Sequence, residues 1–205
     1  MREFDDIFKN YIGGKNFKKI KSVKVGVAGI GGLGSNCAAA LVRSGFCDFT
    51  LVDFDVVEIS NLNRQFYFWE QVGMLKTDAL EQNLKKINSS VSAEKVVKKV
   101  NEYNVNEIFG TCDVVVEAFD DIKSKHTVVE AFMKSEKLLV AASGIAGVGD
   151  SDKIEVRKIN DNFYIIGDMV SEANKNCLPF APKVIAAAAI QADIVLRWTL
   201  KQFIC

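Results

Sequence analysis

The chain has 205 residues with 26 basic and 26 acidic side chains, so its formal net charge is zero. Apolar residues make up 49% of the sequence, which is enough for a substantial core in one domain with small additions. The balanced charge supplies no field to steer nucleic acid, so nucleic-acid binding is not expected as the main task. No apolar run follows Met1, and the most apolar late segment, residues 184–200, is interrupted by Gln191, Asp193 and Arg197. We therefore expect no signal peptide, no membrane span and a cytoplasmic location.

The first 21 residues form a charged and weakly amphipathic segment. Apolar side chains recur there at near-helical spacing, and Gly13 and Gly14 are expected to end the helix. This helical arm (residues 1–21) can pack on its own domain, or it can reach over the nucleotide site of a partner subunit. The residues leave both interpretations open.

The stretch from residue 23 to Asp53 predicts a strand, a glycine turn, a helix and a second strand. Valine-rich residues lead into Gly29, Gly31 and Gly34, an alanine-rich segment follows, and the second strand ends at Asp53. The glycines let the backbone turn sharply and approach a phosphate, while the helix N-terminus supplies free N–H groups and a partial positive charge. Asp53 lies about 20 residues past the turn, where a carboxylate can accept from ribose hydroxyls. This pattern indicates a nucleotide site.

Polar side chains crowd the loop after the second strand. Thirteen residues contain Asp53, Asp55, Glu58, Asn61, Asn63, Arg64 and Gln65. Parallel sheets bind ligands at such strand ends, although this composition also suits a solvated loop. Arg64 is a candidate phosphate ligand. Lys76 falls in the first turn of a helix predicted over residues 73–87, where a cation opposes the helix dipole and a bound phosphate would compensate it. The residues alone favour a solvent-facing lysine.

A second group of acidic residues follows the strand predicted over residues 114–118. We expect one of Asp120 and Asp121 to cap the next helix, residues 122–135, and the other to be free to hold Mg2+ beside phosphates. That helix contains His126, the only histidine, which is expected to be structural or solvated.

The remaining pattern predicts a single α/β domain over residues 1–205. Further strands are expected at residues 91–100 and 138–142, followed by a hairpin of residues 154–159 and 162–166. A polar loop, residues 167–177, leads to a last helix over 183–201, whose alanine run allows close packing inside the domain or across a homodimer. We predict a Rossmann-like, mostly parallel twisted sheet with helices on both faces and an antiparallel edge hairpin.

The cysteines do not predict a metal centre. They stand at positions 37, 47, 112, 177 and 205, and no two of them form a C-x-x-C pair. A structural zinc site needs three or four clustered ligands, so no zinc is expected. Cys37, Cys47 and Cys112 lie in apolar surroundings and are expected to be free thiols of the core.

Three successive motifs are more specific than the glycines alone. The chain reads G-I-G-G-L-G-S, then D-F-D-V-V-E-I-S-N-L-N-R-Q, then V-G-M-L-K, and in these it resembles the ThiF/MoeB/HesA family. Members of this family adenylate the C-terminal glycine of a small β-grasp carrier protein. The resemblance extends from about residue 17 to residue 200. The short length and the lack of zinc cysteine pairs look most like the compact ThiF subgroup of bacterial thiamine biosynthesis.

The resemblance implies a role for each matching residue. Gly29, Gly31, Gly32 and Gly34 would wrap ATP, and Asp53 would hold the ribose, with Asp55 beside it in the nucleotide site. Asn61, Arg64, Gln65 and Lys76 would contact phosphates and orient the reacting carboxylate. Asp120 would bind Mg2+. The partner would be a ThiS-like carrier with a Gly-Gly terminus, and we expect a homodimer.

Two positions depart from the family pattern. Larger relatives place an arginine of the N-terminal arm in the neighbouring subunit's site, but only Arg2 is available here and its position does not match well. Many relatives also use a cysteine for thioester or acyl-disulfide chemistry. Cys177 lies in the matching loop, only five residues before Pro182. It is a candidate for that role, and the alternative is an incidental loop thiol.

Three other functions remain open. An NAD-linked oxidoreductase would explain the glycine turn and Asp53, but it leaves Lys76 and Asp120 without a role and lacks a placed proton donor. A non-catalytic scaffold would not need Arg64, Lys76 and Asp120. Adenylation of another carboxylate, for instance on a modified tRNA base, is disfavoured by the neutral charge.

Overall fold

The computed structural model describes residues 2–201, with side chains from residue 4 onward. Its centre is a seven-stranded sheet in the order β3-β2-β1-β4-β5-β7-β6. The strands are β1 (Lys24–Ala28), β2 (Asp48–Val52), β3 (Ser92–Val96), β4 (Val114–Glu117), β5 (Leu138–Ala142), β6 (Glu155–Asn160) and β7 (Phe163–Gly167). Every neighbouring pair is parallel except β6 with β7. The predicted parallel sheet with an antiparallel edge hairpin is confirmed.

Seven α-helices surround this sheet within residues 2–201. They are α1 (Arg2–Ile12), α2 (Gly14–Lys21), α3 (Gly32–Arg43), α4 (Lys76–Ile87), α5 (Val105–Phe109), α6 (Ile122–Phe132) and α7 (Ala181–Leu200). Alternate residues of β4 face two separate hydrophobic clusters. Val114 and Val116 join the cluster that includes α3 and α7, while Val115 joins Phe109 of α5 and Phe132 of α6. Helices therefore cover both faces, and the buried strands read as continuous apolar runs.

The sheet places the ends of six strands on one edge. The strands β1 to β5 and β7 run the same way, so their carboxyl ends meet there. The strand order reverses between β1 and β4, because β2 lies on one side of β1 and β4 on the other. Doubly wound sheets bind ligands in the crevice at this point. The loops after β1, β2 and β4 therefore meet where a ligand site is expected.

Several predicted boundaries were wrong. The strand predicted over residues 91–100 is β3 and ends at Val96, because the strand that it pairs with, β2, ends at Val52 opposite it. The helix predicted from residue 73 begins at Lys76, because Gly73 has a φ of +89° and Leu75 forms a bridge with Val56. The helix predicted to run to residue 135 ends at Phe132, and the last helix begins two residues early, at Ala181.

The N-terminal segment consists of two helices rather than the predicted one. The first ends at Ile12, but Gly14 begins α2 instead of ending the helical region. The helix α1 packs on its own domain: a methyl carbon added at Gly45 would lie 2.5 Å from the Phe8 ring, and Lys21 pairs with Asp5 at 3.0 Å. The side chain of Arg2, the only candidate arginine finger in the arm, lies outside the described residues.

The cysteine prediction holds for two of three thiols. Cys37 and Cys112 are buried in the core, but Cys47 is only half-buried because it precedes β2 at the amino edge of the sheet. Cys205 lies outside the described residues. In the part of the chain that the structure describes, no helix has the length and apolar character of a membrane span.

Candidate nucleotide-binding site

The glycines after β1 have different structural roles. Gly29 has a φ of +88°, and its N–H donates to the Val52 carbonyl at 2.9 Å. A methyl carbon at Gly34 would lie 1.9 Å from the Gly29 carbonyl oxygen, so α3 can approach the turn only without a side chain there. At Gly31 the nearest atom, Gln65 Nε2, would be 3.8 Å away, which leaves room for a ligand. Gly32 faces Val184, whose Cγ1 would be 3.0 Å from an added carbon.

The N-terminus of α3 is open toward this turn. Gly31 precedes the helix and offers no side-chain cap. The first N–H groups of a helix have no intrahelical partners, so they can donate to an anion and carry the positive end of the helix dipole. Ser35 Oγ accepts from the N–H of Phe66 at 2.9 Å, and Asn36 Nδ2 donates to the Arg64 carbonyl at 2.8 Å. Both side chains join α3 to the polar loop, a role that sequence reasoning missed.

Asp53 lies at the carboxyl end of β2 and is 8% exposed. One carboxylate oxygen accepts from the N–H of Ile30 at 3.0 Å, and the other accepts from the N–H of Asp55 at 2.9 Å. Burial raises the pKa of this carboxyl group, while the charge of Lys76 and the two amides oppose the rise. Each oxygen retains a lone pair for a further donor, so the carboxylate can accept from a ribose hydroxyl.

Lys76 is buried, which corrects the expectation of a solvent-facing lysine. It is 6% exposed, and its Nζ lies 2.7 Å from Asp55 Oδ2 and 3.9 Å from Asp53 Oδ2. Its backbone N–H donates to the Asp55 carbonyl at 3.0 Å, which fixes the start of α4. The two carboxylates therefore supply the negative charge that a cation in the first turn of a helix requires. Lys76 and Asp55 are 21 residues apart in the sequence, and the fold brings their side chains into contact.

In the polar loop after β2, the side chains of Arg64 and Gln65 extend toward the glycine turn. Asn61 Oδ1 accepts from the N–H of Glu58 at 3.0 Å and so shapes a short 3-10 turn. Arg64 is half-buried, and its Nη1 donates to the Ser60 carbonyl at 3.1 Å. Gln65 is 9% exposed, and within the described residues its buried Oε1 has no hydrogen-bond partner. A buried polar atom without a partner is costly, so Gln65 Oε1 is an acceptor to which a ligand or water could donate.

Of the two acidic residues after β4, Asp121 is the helix cap that the sequence predicted, and the Mg2+ role of Asp120 stays a prediction. Asp121 caps α6, where its Oδ2 accepts from the N–H of Ser124 at 2.9 Å and from its hydroxyl at 2.6 Å. Asp120 is exposed and makes no hydrogen bond to the described residues. No three His, Cys, Asp or Glu side chains of residues 2–201 group into a metal cluster. Mg2+ usually takes one or two carboxylates together with substrate phosphates, and Asp120 fits that pattern.

An ion pair between a buried glutamate and a half-buried lysine supports the end of β4, and sequence reasoning missed it. Glu117 is fully buried, and its Oε2 accepts from the ammonium group of Lys125. Its other oxygen accepts from the N–H of Phe119 at 2.8 Å, while Lys125 also donates to the Ala142 carbonyl at 2.9 Å. Burial raises the pKa of Glu117, and Lys125 opposes the rise. The signal in the sequence was a glutamate within an apolar strand.

Cys177 and His126 lie apart from the contacts described so far. Cys177 is half-buried in a turn with Asn174, and a methyl carbon at Gly147 would lie 3.4 Å from its sulfur. Gly147 follows β5, so this contact is near the same edge of the sheet. His126 is exposed on α6, and its Nδ1 lies 3.2 Å from Glu130, as expected for a solvated histidine.

Comparison with known proteins gives consistent results. The model of the ThiF family matches residues 6–202. The chain is 30% identical to tRNA threonylcarbamoyladenosine dehydratase of Haemophilus influenzae over 141 residues, 68% of this chain and 53% of that protein. It is 31% identical to the adenylyltransferase and sulfurtransferase UBA4 of Lodderomyces elongisporus over 64% of this chain and 29% of that protein. It is 40% identical to ubiquitin-like modifier-activating enzyme 5 of Arabidopsis thaliana over 46% of this chain and 22% of that protein.

The solved structures show the same fold. The Escherichia coli tRNA N6-threonylcarbamoyladenosine dehydratase in complex with ATP superposes with a TM-score of 0.88 and 20% identity, covering 98% of this chain and 95% of that one. The complex of that dehydratase with AMP gives a TM-score of 0.85 at 20% identity over 95% of this chain and 92% of that one. The chain thus spans from about a fifth to about half of the curated relatives it matches.

Proposed function

Because the chain belongs to the ThiF family, we propose that it transfers the adenylyl group of ATP to the C-terminal carboxylate of a small carrier protein. The carrier would be a ThiS-like β-grasp protein ending in Gly-Gly, and the pathway would be thiamine biosynthesis. The observation that carries this proposal is the buried Lys76 ammonium beside Asp53 and Asp55, at the strand end next to the glycine turn. A reaction between a carboxylate and a triphosphate needs such a fixed positive charge.

The reaction forms one bond and breaks one. A carboxylate oxygen of the carrier attacks the α-phosphorus of ATP, and the bond from that phosphorus to the bridging oxygen of pyrophosphate breaks. The nucleophile is already ionised at pH 7, so no general base is needed. The products are an acyl adenylate and pyrophosphate. The main task of the protein is therefore to hold two anions in line and neutralise their repulsion.

The described side chains can divide this task among them. The open face at Gly31 and the N-terminus of α3 would receive phosphates. Gln65 Oε1, which has no partner within residues 2–201, would accept from a hydroxyl or water. Asp53 would hold the ribose. Arg64, whose Nη1 donates to the Ser60 carbonyl and to Asn63 Oδ1, would turn to a phosphate. Asn61, whose carbonyl accepts from the N–H of Arg64, would orient the loop or contact phosphate directly.

Lys76 and Asp120 would complete the site. Lys76 would exchange the exposed Asp55 carboxylate for a phosphate oxygen and keep its contact with Asp53. Asp120 would hold Mg2+, which supplies charge neutralisation on the phosphates when bound. We assign no zinc to the protein.

Cys177 is proposed as the acceptor of the activated acyl group. Its thiolate would attack the acyl carbon, and AMP would leave, which gives a thioester. The half-buried position of the thiol beside Gly147 supports this role, because the segment after β5 ends at the same edge as the nucleotide loops. We also propose a homodimer located in the cytoplasm.

A second candidate is adenylation of a carboxylate on a modified tRNA base. The similarity to the Haemophilus influenzae dehydratase favours it, since that alignment covers 68% of this chain. The zero net charge of the chain opposes it, because tRNA binding draws on an excess of basic side chains. An NAD-linked oxidoreductase leaves Lys76 and Asp120 without a task.

Pyrophosphate–ATP exchange tests the proposal. The purified protein with Mg2+ should catalyse exchange only when a Gly-Gly-ending carrier is present. Arg64→Ala and Asp120→Ala should each abolish it, while His126→Ala, on the exposed face of α6, should not change it. Exchange that survives both changes would overturn the site assignment. Exchange that needs a modified tRNA instead of a carrier would establish the second candidate, and tight NADH binding without exchange would favour the oxidoreductase.

A further inference from the structure

Two segments at the carboxyl edge of the sheet are joined by a buried ion pair that the nucleotide site does not use. The glycine-rich segment, residues 143–149, follows β5, and the crossover segment, residues 168–180, leads from β7 to α7. Lys183, in the first turn of α7, is 2% exposed. Its Nζ donates to the Ala146 carbonyl at 2.7 Å and to Asp168 Oδ2 at 2.7 Å. One ammonium group thus connects both segments to the helix.

The side chain of Asp168, the partner of Lys183, is also largely enclosed by the protein. Its Oδ1 accepts from the N–H groups of Val170 and Ser171, both at 2.8 Å. A methyl carbon at Gly144, which has a φ of +78°, would lie 2.1 Å from that oxygen. Only glycine therefore allows the glycine-rich segment to close over Asp168.

Backbone contacts extend the connection along both segments. The N–H of Asp168 donates to the Gly144 carbonyl at 3.1 Å, and the N–H of Gly147 donates to the Leu178 carbonyl at 3.1 Å. The Ser171 hydroxyl accepts from the N–H of Ala146 at 3.1 Å. These hydrogen bonds hold the crossover segment at Asp168, Ser171 and Leu178.

A lysine at this position costs stability unless it is paired. A cation in the first turn of a helix opposes the helix dipole, and a buried ammonium group loses its hydration. The side chains of Lys183 and Asp168 are 3% and 11% exposed, and the Asp168 carboxylate accepts from Lys183 and from two backbone N–H groups. This distinguishes the pair from Lys76 with Asp55, whose carboxylate is 52% exposed.

We propose that Lys183 is a positioning residue whose ion pair with Asp168 latches the crossover segment to the glycine-rich segment. The latch fixes the segment that carries Cys177 at the edge where the acyl substrate arrives, and this part of the inference rests on the proposed adenylation. ATP would contact residues of the loops after β1, β2 and β4, whereas the hydrogen bonds of Lys183 and Asp168 go to the segments after β5 and β7. Loss of the latch should therefore affect the acyl substrate and spare ATP.

Amide hydrogen exchange tests the latch without any substrate. In Lys183→Met, peptides from residues 143–149 and 168–180 should exchange on the order of 10- to 100-fold faster, because the two hydrogen bonds that the Lys183 ammonium group donates are lost. Peptides from β1 and β2 should keep their wild-type rates. The matched control is Lys158→Met, which removes an equally short but exposed ion pair with Asp161 and should change neither segment.

A milder variant keeps the test decisive if Lys183→Met does not fold. Ser171→Ala removes one hydrogen bond between the segments and should accelerate exchange in both by roughly fivefold. Unchanged exchange in the two segments, or acceleration spread evenly over the sheet, would overturn the proposal.

Kinetics then examine the consequence for adenylation. Both variants should bind ATP with wild-type affinity but show a raised KM for the carrier or a lowered kcat, by about tenfold in Lys183→Met. A faster-exchanging crossover segment with wild-type kcat and KM would show that the pair is structural only. If the wild type adenylates no carrier, the proposed function fails, while the exchange rates still decide whether the latch exists.

Discussion

The Lys76 ammonium group lies 2.7 Å from the Asp55 carboxylate, yet the two side chains differ in exposure, at 8% and 52%. The buried partner cannot leave, whereas the exposed one can turn into solvent. A phosphate that displaces Asp55 would find the cation already desolvated and in place. The Lys76 ammonium group is therefore in place for a ligand, and in the free protein Asp55 balances its charge.

Lys76→Met should lower pyrophosphate exchange by on the order of 100-fold, because it removes one fixed charge from the reacting centre. The thioether has nearly the same length as the lysine stem, so the packing of α4 is kept. Exchange kinetics at saturating carrier measure the effect. Lys95→Met is the control, since Lys95 pairs with Asp78 at 2.8 Å at the surface and should leave exchange unchanged. Equal losses in the two variants would contradict a specific role for Lys76.

The variants Gly31→Ala and Gly34→Ala distinguish a glycine that leaves room for a ligand from one that the packing of α3 requires. At Gly31 an added carbon meets nothing closer than 3.8 Å, so thermal stability should stay near that of the wild type while ATP affinity falls by about tenfold or more. At Gly34 the added carbon would lie 1.9 Å from a backbone oxygen, so the protein should be strongly destabilised. Thermal melts and equilibrium ATP binding measure both effects. Undiminished ATP affinity in Gly31→Ala would contradict the position assigned to the phosphates.

Lys125→Met should destabilise the protein by about 3–5 kcal/mol, because it leaves the fully buried Glu117 without its counter-charge. The double variant Glu117→Gln/Lys125→Met removes both charges and should recover part of that loss. Chemical denaturation of the four proteins in the cycle gives the coupling free energy. The exposed pair of Lys158 and Asp161 is the control, and its removal should change the free energy of unfolding little, because solvent screens an exposed ion pair. Additive effects of the two buried substitutions would contradict the pairing.

The ion pair of Asp168 should make stability depend on acid pH. Burial alone would raise the pKa of this carboxyl group, but Lys183 and the amides of Val170 and Ser171 hold it well below its usual range. A carboxyl group with a lowered pKa stabilises the folded state above its ordinary pKa, and this contribution is lost as the pH falls toward the lowered value. The gap in unfolding free energy between the wild type and Asp168→Asn should be constant near neutral pH and shrink below the ordinary pKa of 3.8. Denaturation curves across that range measure it, and a gap that widens in acid would contradict the prediction.

The fold could be predicted because its signals are local and mutually consistent. Valine-rich strands, the glycine turn and the hairpin each limit the backbone in a way that does not depend on distant residues. The boundaries could not be predicted as well, since they depend on partners: β3 ends where β2 ends, and α4 starts where Lys76 meets Asp55. Gly14, expected to end a helix, begins one.

Lys76 and Asp55 were singled out from the sequence as candidate site residues, but their pairing was not predicted. Lys76 and Asp55 are 21 positions apart, so nothing in the local pattern shows their contact. Asp168 and Lys183, which are 15 positions apart, were not singled out from the sequence at all. The expectation for Lys76 from residues alone was wrong because it assumed that a lysine in a first turn must reach solvent. Glu117 was read as part of a strand, since its partner Lys125 lies on the following helix.

The strands on either side of β1 end in the same local arrangement. Asp53 after β2 accepts from the N–H two residues later, at 2.9 Å, and Glu117 in β4 does the same with Phe119 at 2.8 Å. Each carboxylate bends its own chain as it leaves the sheet, so both walls of the crevice take their shape during folding. Few protein groups would become ordered when a ligand enters the crevice, so the conformational entropy lost on binding should be small.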